Sequence, residues 1–316
     1  MQVIIDKGIP FLEGVFPPEI EVLHLSPEEI TSPSVRNADA LIVRTRTCIN
    51  RDLLQGSRVR FVATATIGFD HIDQDYCREA GIHWVSCPGC NAQAVCDYVE
   101  EAISSMKSDK TDLTVGIIGY GHVGKLVAKM AQRRGYRVLL SDPPLGIGVS
   151  LEELAPQCDV LTFHTPLTHN GLHPSFHLCN THILSLCKPD ALIINAARGG
   201  VIDEQALIAQ LSAVNCQLST AIDCWENEPH LNHRLLQLAN LASFHIAGYS
   251  IEGKMRASEM CLEAFCKFFS LPILSINKKV VPLHGDSDSG WLQRISNQLK
   301  AQPEQFEQLR KQYKLR

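Results

Sequence analysis

The sequence predicts an α/β fold built from two doubly wound parallel sheets, with one domain inserted into the other. Short apolar runs of strand length alternate with helix-capable segments along most of the 316 residues. This alternation starts twice, at residue 2 and again after Asp109. Strands that alternate with helices are typical of parallel sheets with helices on both faces, and a chain of this length commonly holds two domains.

The first ninety residues contain five predicted strands separated by polar, helix-capable segments. The strands are QVIID (2–6), EVLHL (21–25), ALIVR (40–44), RFVATAT (60–66) and HWVSC (83–87). The next segment, NAQAVCDYVEEAISSMK (91–107), repeats its apolar residues at helical spacing. We therefore predict a long amphipathic helix here, with Asn91 as its N-cap.

The second alternating unit opens with TVGIIGYGHVGKLVAKMAQRRGYRVLLSD (114–142), which reads as strand, glycine turn, helix and strand. Strands follow at DVLTFHT (159–165), ALIINA (191–196), LSTAIDCW (218–225) and LASFHIA (241–247). A helix of about twenty residues from Ser250 returns the chain to the first domain. The predicted domains are a discontinuous one (1–93 and 252–280), an inserted one (94–251) and a short tail (281–316). We expect this tail to form a solvated helix or an oligomer contact.

Composition and charge exclude two classes of partner. The formal net charge of −5 argues against nucleic acid, because phosphate backbones require a basic protein face. No stretch approaches the ~18 consecutive apolar residues of a membrane span. The first residues, MQVIIDKG, lack the basic start and long apolar run of a signal peptide. We therefore expect a cytoplasmic protein that has reduced cysteines and does not contact membranes.

Two groups of potential metal ligands occur, and we interpret neither as a metal site. Cys87 and Cys90 form a CxxC, a spacing found in redox motifs and half zinc sites. No second CxxC follows, so a turn before a helix is the interpretation. Five histidines lie within residues 164–182, but prolines and a glycine interrupt any helix that could align them. Metal binding stays the alternative for each group.

The motif Gly119-Tyr120-Gly121-His122-Val123-Gly124 follows a predicted strand and opens a predicted helix. In dinucleotide-binding domains the first glycine permits the tight turn, the second lets the backbone approach the pyrophosphate, and the third packs helix on strand. Asp142 ends the next strand, where an acidic residue accepts hydrogen bonds from the adenosine ribose. No arginine follows it to hold a 2′-phosphate. The sequence therefore predicts a Rossmann domain that binds NAD rather than NADP, with a nucleotide-free doubly wound domain as the alternative.

Three consecutive later strands lead into residues of catalytic type. Arg198 follows ALIINA, and Asp223 and Glu228 follow the next strand. His245 closes the strand after that. Because ligands bind at the carboxyl ends of parallel strands, we expect these side chains to meet beside the nucleotide. In isolation, Arg198 could form a surface salt bridge and His245 could be a core histidine.

The combination of arginine, glutamate and histidine suits hydride transfer from a secondary alcohol to nicotinamide. An arginine fork binds and orients a carboxylate. A histidine titrates near neutrality, at ~6.5 unperturbed, and can take the hydroxyl proton. A glutamate partner raises the pKa of the imidazole and fixes its tautomer. The sequence thus predicts a dehydrogenase with Arg198 on the substrate, His245 as acid–base and Glu228 as the partner of His245.

Four stretches together resemble the D-isomer-specific 2-hydroxyacid dehydrogenases: residues 119–124 with Asp142, NAARGG (195–200), DCWENEP (223–229) and HIAGYS (245–250). The resemblance implies an NAD domain inserted into a flavodoxin-like substrate domain, a cleft between them and a homodimer. A narrower resemblance, to one branch of this family, implies two sets of ligand contacts. These are Thr165, Asp223 and Gly248 at the cofactor, and Thr45, Thr66 and Tyr249 at the substrate.

Other stretches, including ADALIVRTRT (38–47) and HIAGYSIEGKMR (245–256), resemble a branch of this family that acts on a small phosphorylated 2-hydroxy acid. Arg44 or Arg46 could bind the phosphate, or could form an ordinary ion pair. Two alternatives remain open. One is a dehydrogenase for 3-phosphoglycerate, glycerate or lactate, and the other is a non-catalytic NAD-sensing protein, which would have no need of a proton relay.

Overall fold

The computed structural model describes residues 1–276 and 290–315, which divide into two compact units. Unit 1 comprises residues 1–91 and 250–276, and unit 2 comprises residues 92–249 and 290–315. Residues 92–249 of unit 2 are therefore inserted between the two parts of unit 1, and residues 290–315 belong to unit 2 again. The predicted domain boundary at residues 280 and 281 lies outside the described residues.

The strands of the described residues fall close to the predicted apolar runs, although most end earlier. They are β1 (Gln2–Asp6), β2 (Glu21–Leu25), β3 (Ala40–Val43), β4 (Phe61–Thr64), β5 (His83–Val85), β6 (Thr114–Ile118), β7 (Arg137–Asp142), β8 (Ile147–Gly148), β9 (Val160–Phe163), β10 (Leu192–Asn195), β11 (Ser219–Ile222) and β12 (Leu241–Ala242).

The helices alternate with these strands and complete the α/β pattern. They are α1 (Ser32–Val35), α2 (Arg51–Leu54), α3 (Gln74–Glu79), α4 (Ala92–Met106), α5 (His122–Arg133), α6 (Leu151–Leu154), α7 (Thr181–Leu186), α8 (Glu204–Leu211), α9 (His233–Leu238), α10 (Ile251–Phe268), α11 (Trp291–Ala301) and α12 (Phe306–Gln312). Within the described part of the chain, no helix combines the length and apolar character needed to cross a membrane.

Unit 1 contains a five-stranded parallel sheet in the order β2-β1-β3-β4-β5. This is the flavodoxin-like strand order. Strands β1, β3 and β4 are almost entirely buried, because α10 covers one face of the sheet and α1, α2 and α3 cover the other. Both faces are apolar for this reason, and the strands read as continuous hydrophobic runs.

Unit 2 contains a seven-stranded sheet in the order β12-β11-β10-β9-β6-β7-β8. All neighbours are parallel except β8, which pairs antiparallel with β7. The strand order reverses between β6 and β9, and such a switch point is where doubly wound sheets bind nucleotides. The predicted fold class, with a Rossmann domain in unit 2, is confirmed.

Two local predictions are wrong. Asn91 does not act as the N-cap of α4, since its Oδ1 is buried and has no hydrogen-bond partner within the described residues. The C-terminal segment is also not a solvated helix. Trp291, Leu292 and Leu299 of α11 are buried in the core of unit 2, together with Phe306 of α12. The apolar face of this segment covers the β12 edge of the sheet within its own unit.

We predict that Leu292→Ala lowers the free energy of unfolding by about 2–5 kcal/mol, because it removes a fully buried side chain and leaves a cavity. Urea unfolding of the whole chain measures this change. Gln298→Ala on the exposed face of α11 is the matched control and should stay within about 0.5 kcal/mol of the parent chain. Equal unfolding midpoints for the two variants would show that α11 is not part of the core.

Candidate active site

The predicted catalytic residues lie beyond the carboxyl ends of neighbouring strands of unit 2. Arg198 follows β10, Glu228 follows β11 and His245 follows β12. The prediction that His245 closes its strand is wrong. Strand β12 ends at Ala242, and His245 lies in the following loop with a φ of +58°. A positive φ is uncommon for a residue with a side chain and requires support from surrounding contacts.

Asp223 provides that support from the end of the neighbouring strand. Its carboxylate accepts hydrogen bonds from the backbone N–H of Ile246 (2.8 Å) and Ala247 (2.9 Å) and from the hydroxyl of Ser243 (2.7 Å). The N–H of His245 donates to the carbonyl of Asp223 at 3.0 Å. This buried carboxylate therefore fixes the loop that carries His245. The role of Asp223 at the cofactor stays a prediction.

Glu228 and His245 form a hydrogen-bonded pair. Nδ1 of His245 lies 2.8 Å from Oε2 and 3.1 Å from Oε1 of Glu228, and the N–H of Trp225 donates to Oε1 at 2.9 Å. Because an ionised carboxylate only accepts, Nδ1 carries the hydrogen. Nε2 is then the nitrogen that exchanges a proton with a ligand.

The charges of this pair shift both pKa values in the directions that favour an ion pair. Burial alone lowers the pKa of His245, but Cys224 and Glu228 outweigh it and raise that pKa well above its ordinary value. Burial raises the pKa of Glu228, yet the imidazolium and the Trp225 N–H outweigh it and lower that pKa. The resting pair is therefore imidazolium and carboxylate at neutral pH.

Cys224 lies next to this pair, and sequence reasoning did not single it out. Its sulfur and the ligand atoms of Glu228 and His245 lie within 4.8 Å of one another. In residues 1–276 and 290–315 this is the one cluster of three potential metal ligands. It coincides with the acid–base pair. Burial raises the pKa of the Cys224 thiol, and the charge of the neighbouring His245 opposes that rise.

The loop after β10 is held by Asn195, a second residue that sequence reasoning missed. Its side-chain amide donates to the carbonyls of Arg198 (3.0 Å) and Cys224 (3.2 Å), and its oxygen accepts from Ala197 N–H at 3.2 Å. A Cβ on Gly199 would lie 1.9 Å from the Trp225 carbonyl. The backbone at Gly199 therefore packs closely against the backbone at Trp225, which joins the Arg198 loop to the loop that carries Glu228. Arg198 is half-buried, and its Nη1 donates to the Ala197 carbonyl at 2.8 Å.

The glycine motif has the geometry of a dinucleotide-binding turn. Gly119 has a φ of +93°, and a Cβ there would lie 2.7 Å from the His164 carbonyl. A Cβ on Gly124 would lie 2.0 Å from the Gly119 carbonyl. In contrast, a Cβ on Gly121, the N-cap of α5, would meet no atom within 4 Å. There is thus open space beside the first N–H groups of this helix, which include those of His122 and Val123. Such a space suits a pyrophosphate.

Asp142 ends β7 and Thr165 follows β9, the two strands that flank β6, whereas Gly248 lies in the loop after β12. The Asp142 carboxylate accepts from the N–H of Tyr120 at 2.7 Å, which fixes the glycine turn and leaves acceptor capacity for ribose hydroxyls. Thr165 follows β9 at the switch point, and its buried hydroxyl has no hydrogen-bond partner within the described residues. Buried polar atoms normally have a partner, so this hydroxyl fits a ligand contact. These residues fit NAD.

His164 precedes Thr165 and is half-buried. Burial lowers its pKa to about 3, so its ring is neutral. Nε2 contacts the Thr162 hydroxyl at 2.9 Å, and Nδ1 has no partner among the residues described. His177, in the same histidine-rich segment, contacts the Glu226 carboxylate at 3.0 Å, and its N–H donates to the Gly200 carbonyl. The segment thus packs beside the Arg198 loop.

In unit 1, Arg44 forms a bidentate ion pair with buried Asp6, with N–O distances of 2.8 and 2.9 Å. Arg46 is exposed and lies 3.9 Å from an exposed glutamate, so that pair contributes little. The charge of Arg44, added to the larger effect of burial, lowers the pKa of Lys254 at the start of α10. Lys254 is a cation that sequence reasoning missed.

The remaining predicted substrate residues also have defined positions. Thr45 is exposed after β3, and the Thr66 hydroxyl donates to the Gly68 carbonyl at 3.0 Å. Tyr249, four residues after His245, accepts a hydrogen bond at its hydroxyl from Arg310 of α12 at 3.0 Å. Neither motif nor spacing pointed to Arg310, which lies in a polar helix far along the chain.

Comparison with known proteins places these features in context. Residues 93–247 match the family model described as D-isomer specific 2-hydroxyacid dehydrogenase, NAD binding domain. Erythronate-4-phosphate dehydrogenase from Bacteroides thetaiotaomicron is 41% identical over 341 residues, which cover 100% of this chain and 97% of that protein. The protein of the same name from Cronobacter sakazakii is 38% identical and covers 100% and 92%.

Solved structures share the fold at lower identity. An NAD⁺-bound 3-phosphoglycerate dehydrogenase from Entamoeba histolytica superposes with a TM-score of 0.70 at 24% identity, over 88% of this chain and 99% of that one. D-Lactate dehydrogenase from Aquifex aeolicus, in complex with NAD and lactic acid, has a TM-score of 0.64 at 22% identity, over 85% and 95%.

Two glycine substitutions should separate folding from cofactor binding. Gly124→Ala should lower the free energy of unfolding by about 3 kcal/mol, because the new Cβ would overlap a backbone carbonyl. Gly121→Ala should stay within about 1 kcal/mol of the parent chain but weaken NADH, since its Cβ would enter the pyrophosphate space. Thermal unfolding and NADH fluorescence titration measure the two effects. Unchanged NADH affinity in Gly121→Ala would contradict the assignment of this turn.

The pKa of His245 should fall in Glu228→Gln, because the substitution removes the negative charge that stabilises the imidazolium. Histidine NMR titration, with the His245 resonance assigned by its loss in His245→Asn, measures the change. Glu226→Gln is the control, since Glu226 contacts His177 instead. An unchanged or higher His245 pKa in Glu228→Gln would contradict the assignment of Glu228 as the partner of His245.

Proposed function

This chain belongs to the erythronate-4-phosphate dehydrogenases, within the D-isomer-specific 2-hydroxyacid dehydrogenases, and we propose that it oxidises 4-phospho-D-erythronate to 3-hydroxy-2-oxo-4-phosphobutanoate. It is an NAD-dependent dehydrogenase. The observation that carries the proposed chemistry is the Glu228–His245 pair beyond the carboxyl end of the sheet. The names of relatives matched over nearly their whole length support the choice of substrate.

We propose the following roles for the residues of this edge. Arg198 binds the substrate carboxylate through its planar fork, which fixes the C2 hydroxyl relative to His245. His245 Nε2 takes the proton of that hydroxyl as the C2–H bond breaks. Glu228 stabilises the imidazolium that results and keeps Nδ1 protonated. NAD, when bound, supplies the acceptor for the hydride.

The raised pKa of His245 determines how the reaction responds to pH. Oxidation requires neutral His245, and the imidazolium is the form present below its pKa. Oxidation should therefore be faster on the alkaline side, where more of the imidazole is neutral. Reduction of the 2-oxo acid needs the imidazolium as proton donor and should be favoured on the acidic side.

Residues 119–124, Asp142 and Thr165 would hold the cofactor, together with Asp223 and Gly248. The Asp142 carboxylate suits ribose hydroxyls and would repel a 2′-phosphate. Pro143 and Pro144 follow it, and neither can supply a positive charge. These features support NAD over NADP.

Unit 1 supplies cations for the substrate phosphate in this proposal. Arg44 is held rigidly by Asp6, and Lys254 lies close enough for its pKa to respond to the Arg44 charge. Arg46, Thr45 and Thr66 complete the predicted substrate contacts. Two neighbouring cations suit a phosphate dianion better than a single carboxylate.

We further propose that the enzyme acts as a cytoplasmic homodimer in the synthesis of pyridoxal 5′-phosphate. The pathway rests on the reaction named for the relatives. The dimer rests on the family resemblance, and the location rests on the composition. Measurement of the molecular mass in solution tests the dimer. The hydrogen-bonded Glu228–His245 pair supports an enzyme over a non-catalytic NAD-sensing protein, which would have no need of a proton relay.

The purified chain should produce NADH absorbance with NAD and 4-phospho-D-erythronate, and at a higher kcat/KM than with 3-phosphoglycerate, D-glycerate or D-lactate. A 2-oxo acid in parallel assays reveals turnover hidden by slow NADH release. His245→Asn is the matched control, and it should bind NADH normally and lose about 10²–10⁴-fold in kcat. Preference for another acid would reject the substrate but keep the mechanism. Absence of turnover with every acid would reject the enzymatic proposal.

A further inference from the structure

The C-terminal helix α12 reaches the loop that carries His245. Phe306 and Leu309 anchor α12 in the core of unit 2. Tyr313, just after the helix, packs its ring against Phe244 and Tyr249 at centroid distances of 5.9 and 6.4 Å. With its apolar side fixed in this way, α12 presents Arg310 to the loop.

Arg310 makes two contacts with the same tyrosine. Its Nε donates to the Tyr249 hydroxyl at 3.0 Å, and its Cζ lies 5.6 Å from the centre of the Tyr249 ring. Its contact with the exposed Glu307 is longer, at 3.5 Å. About a quarter of the Arg310 side chain, 27%, is exposed, so most of it is enclosed by protein. This burial makes a charged contact stronger than at an open surface.

The contact dictates the direction of the tyrosine hydroxyl hydrogen. A guanidinium has donors only, so the Tyr249 oxygen must accept from Arg310. The hydrogen of the phenol then points away from Arg310. The hydrogen bond thereby restricts the directions in which the Tyr249 hydroxyl can itself donate a hydrogen bond.

The charge of Arg310 also reaches the acid–base pair. The Arg310 cation contributes to the lowered pKa of Glu228, behind the larger effects of burial, His245 and the Trp225 N–H. A cation close to an imidazolium disfavours that imidazolium. We therefore expect Arg310, which acts on Glu228, to oppose the rise in the pKa of its partner His245 and to favour the neutral imidazole that oxidation requires.

We propose that Arg310 is a positioning residue of the dehydrogenase, which orients the Tyr249 hydroxyl for the anionic substrate and tunes His245 by its charge. The C-terminal segment is then part of the catalytic apparatus of its own chain. This inference rests on the proposed function for the role of Tyr249. The electrostatic part concerns the protein alone and can be measured without turnover.

The first test is a comparison of Arg310→Gln with Lys311→Gln, which removes the same charge from the exposed side of the same helix. Arg310→Gln should raise the NMR-measured pKa of His245, and Lys311→Gln should leave it in place. In assays of the acid that the parent chain oxidises, Arg310→Gln should raise KM about 10-fold. It should also move the acidic limb of the pH profile of kcat/KM to higher pH.

The second test is a double-mutant cycle with Tyr249→Phe. Because Arg310 acts on KM through the tyrosine hydroxyl, Arg310→Gln should change KM little in the Tyr249→Phe background. Arg310→Lys, which keeps the charge, should restore the pKa of His245 and part of the KM. It also provides a folded comparison if thermal unfolding shows that Arg310→Gln is unstable.

Three results would overturn the proposal. One is a His245 pKa that is the same in Arg310→Gln and Lys311→Gln. Another is a double variant whose change in KM equals the product of the separate Arg310→Gln and Tyr249→Phe changes, as expected for two independent residues. The third is a fall in kcat in Arg310→Gln that is uniform across pH with unchanged KM, as a purely structural role predicts. Failure of the parent chain to oxidise any acid would instead reject the proposed function, and the NMR comparison would still decide the electrostatic claim.

Discussion

The position of the loop that carries His245 depends on the carboxylate of Asp223. This carboxylate sits at the end of β11 and binds two backbone N–H groups and one hydroxyl of the loop after β12. An unpaired carboxylate in this buried position would be very costly, so the loop must close around it. That closure holds His245 in a left-handed conformation, which a free loop would seldom adopt. The imidazole proposed as the acid–base group is therefore placed by a neighbouring strand and not by its own.

Once His245 is placed, its chemistry follows from the groups around it. Cys224 and Glu228 favour the imidazolium, and burial opposes it. The balance favours a charged ring in the resting protein, which attracts an anionic substrate and disfavours proton removal. In the proposed mechanism this state is a compromise between the two directions of hydride transfer, because protonated His245 serves reduction and neutral His245 serves oxidation.

The sequence predicts the architecture well because strand burial and glycine sterics are local properties. Alternating apolar runs give both sheets, and the backbone contacts at Gly119 and Gly124 explain why the motif tolerates no side chain there. Contacts between distant residues leave no such local signal. Asn195 looks like any polar residue at a strand end, and nothing near Arg310 indicates that its partner is Tyr249. The end of β12 also escapes prediction, because the apolar run continues through the loop that Asp223 organises.

The C-terminal segment connects the edge of the sheet to the active site. The Ser296 hydroxyl of α11 accepts a hydrogen bond from Ala242 N–H at 3.0 Å, which satisfies a donor of the edge strand β12. An edge strand without such cover exposes unpaired backbone groups. The same segment continues into α12 and brings Arg310 to the loop that begins where β12 ends. One short stretch of chain thus protects the last strand and sets the environment of the residues that follow it. A change that loosens α11 would for this reason reach the acid–base pair through both β12 and Arg310.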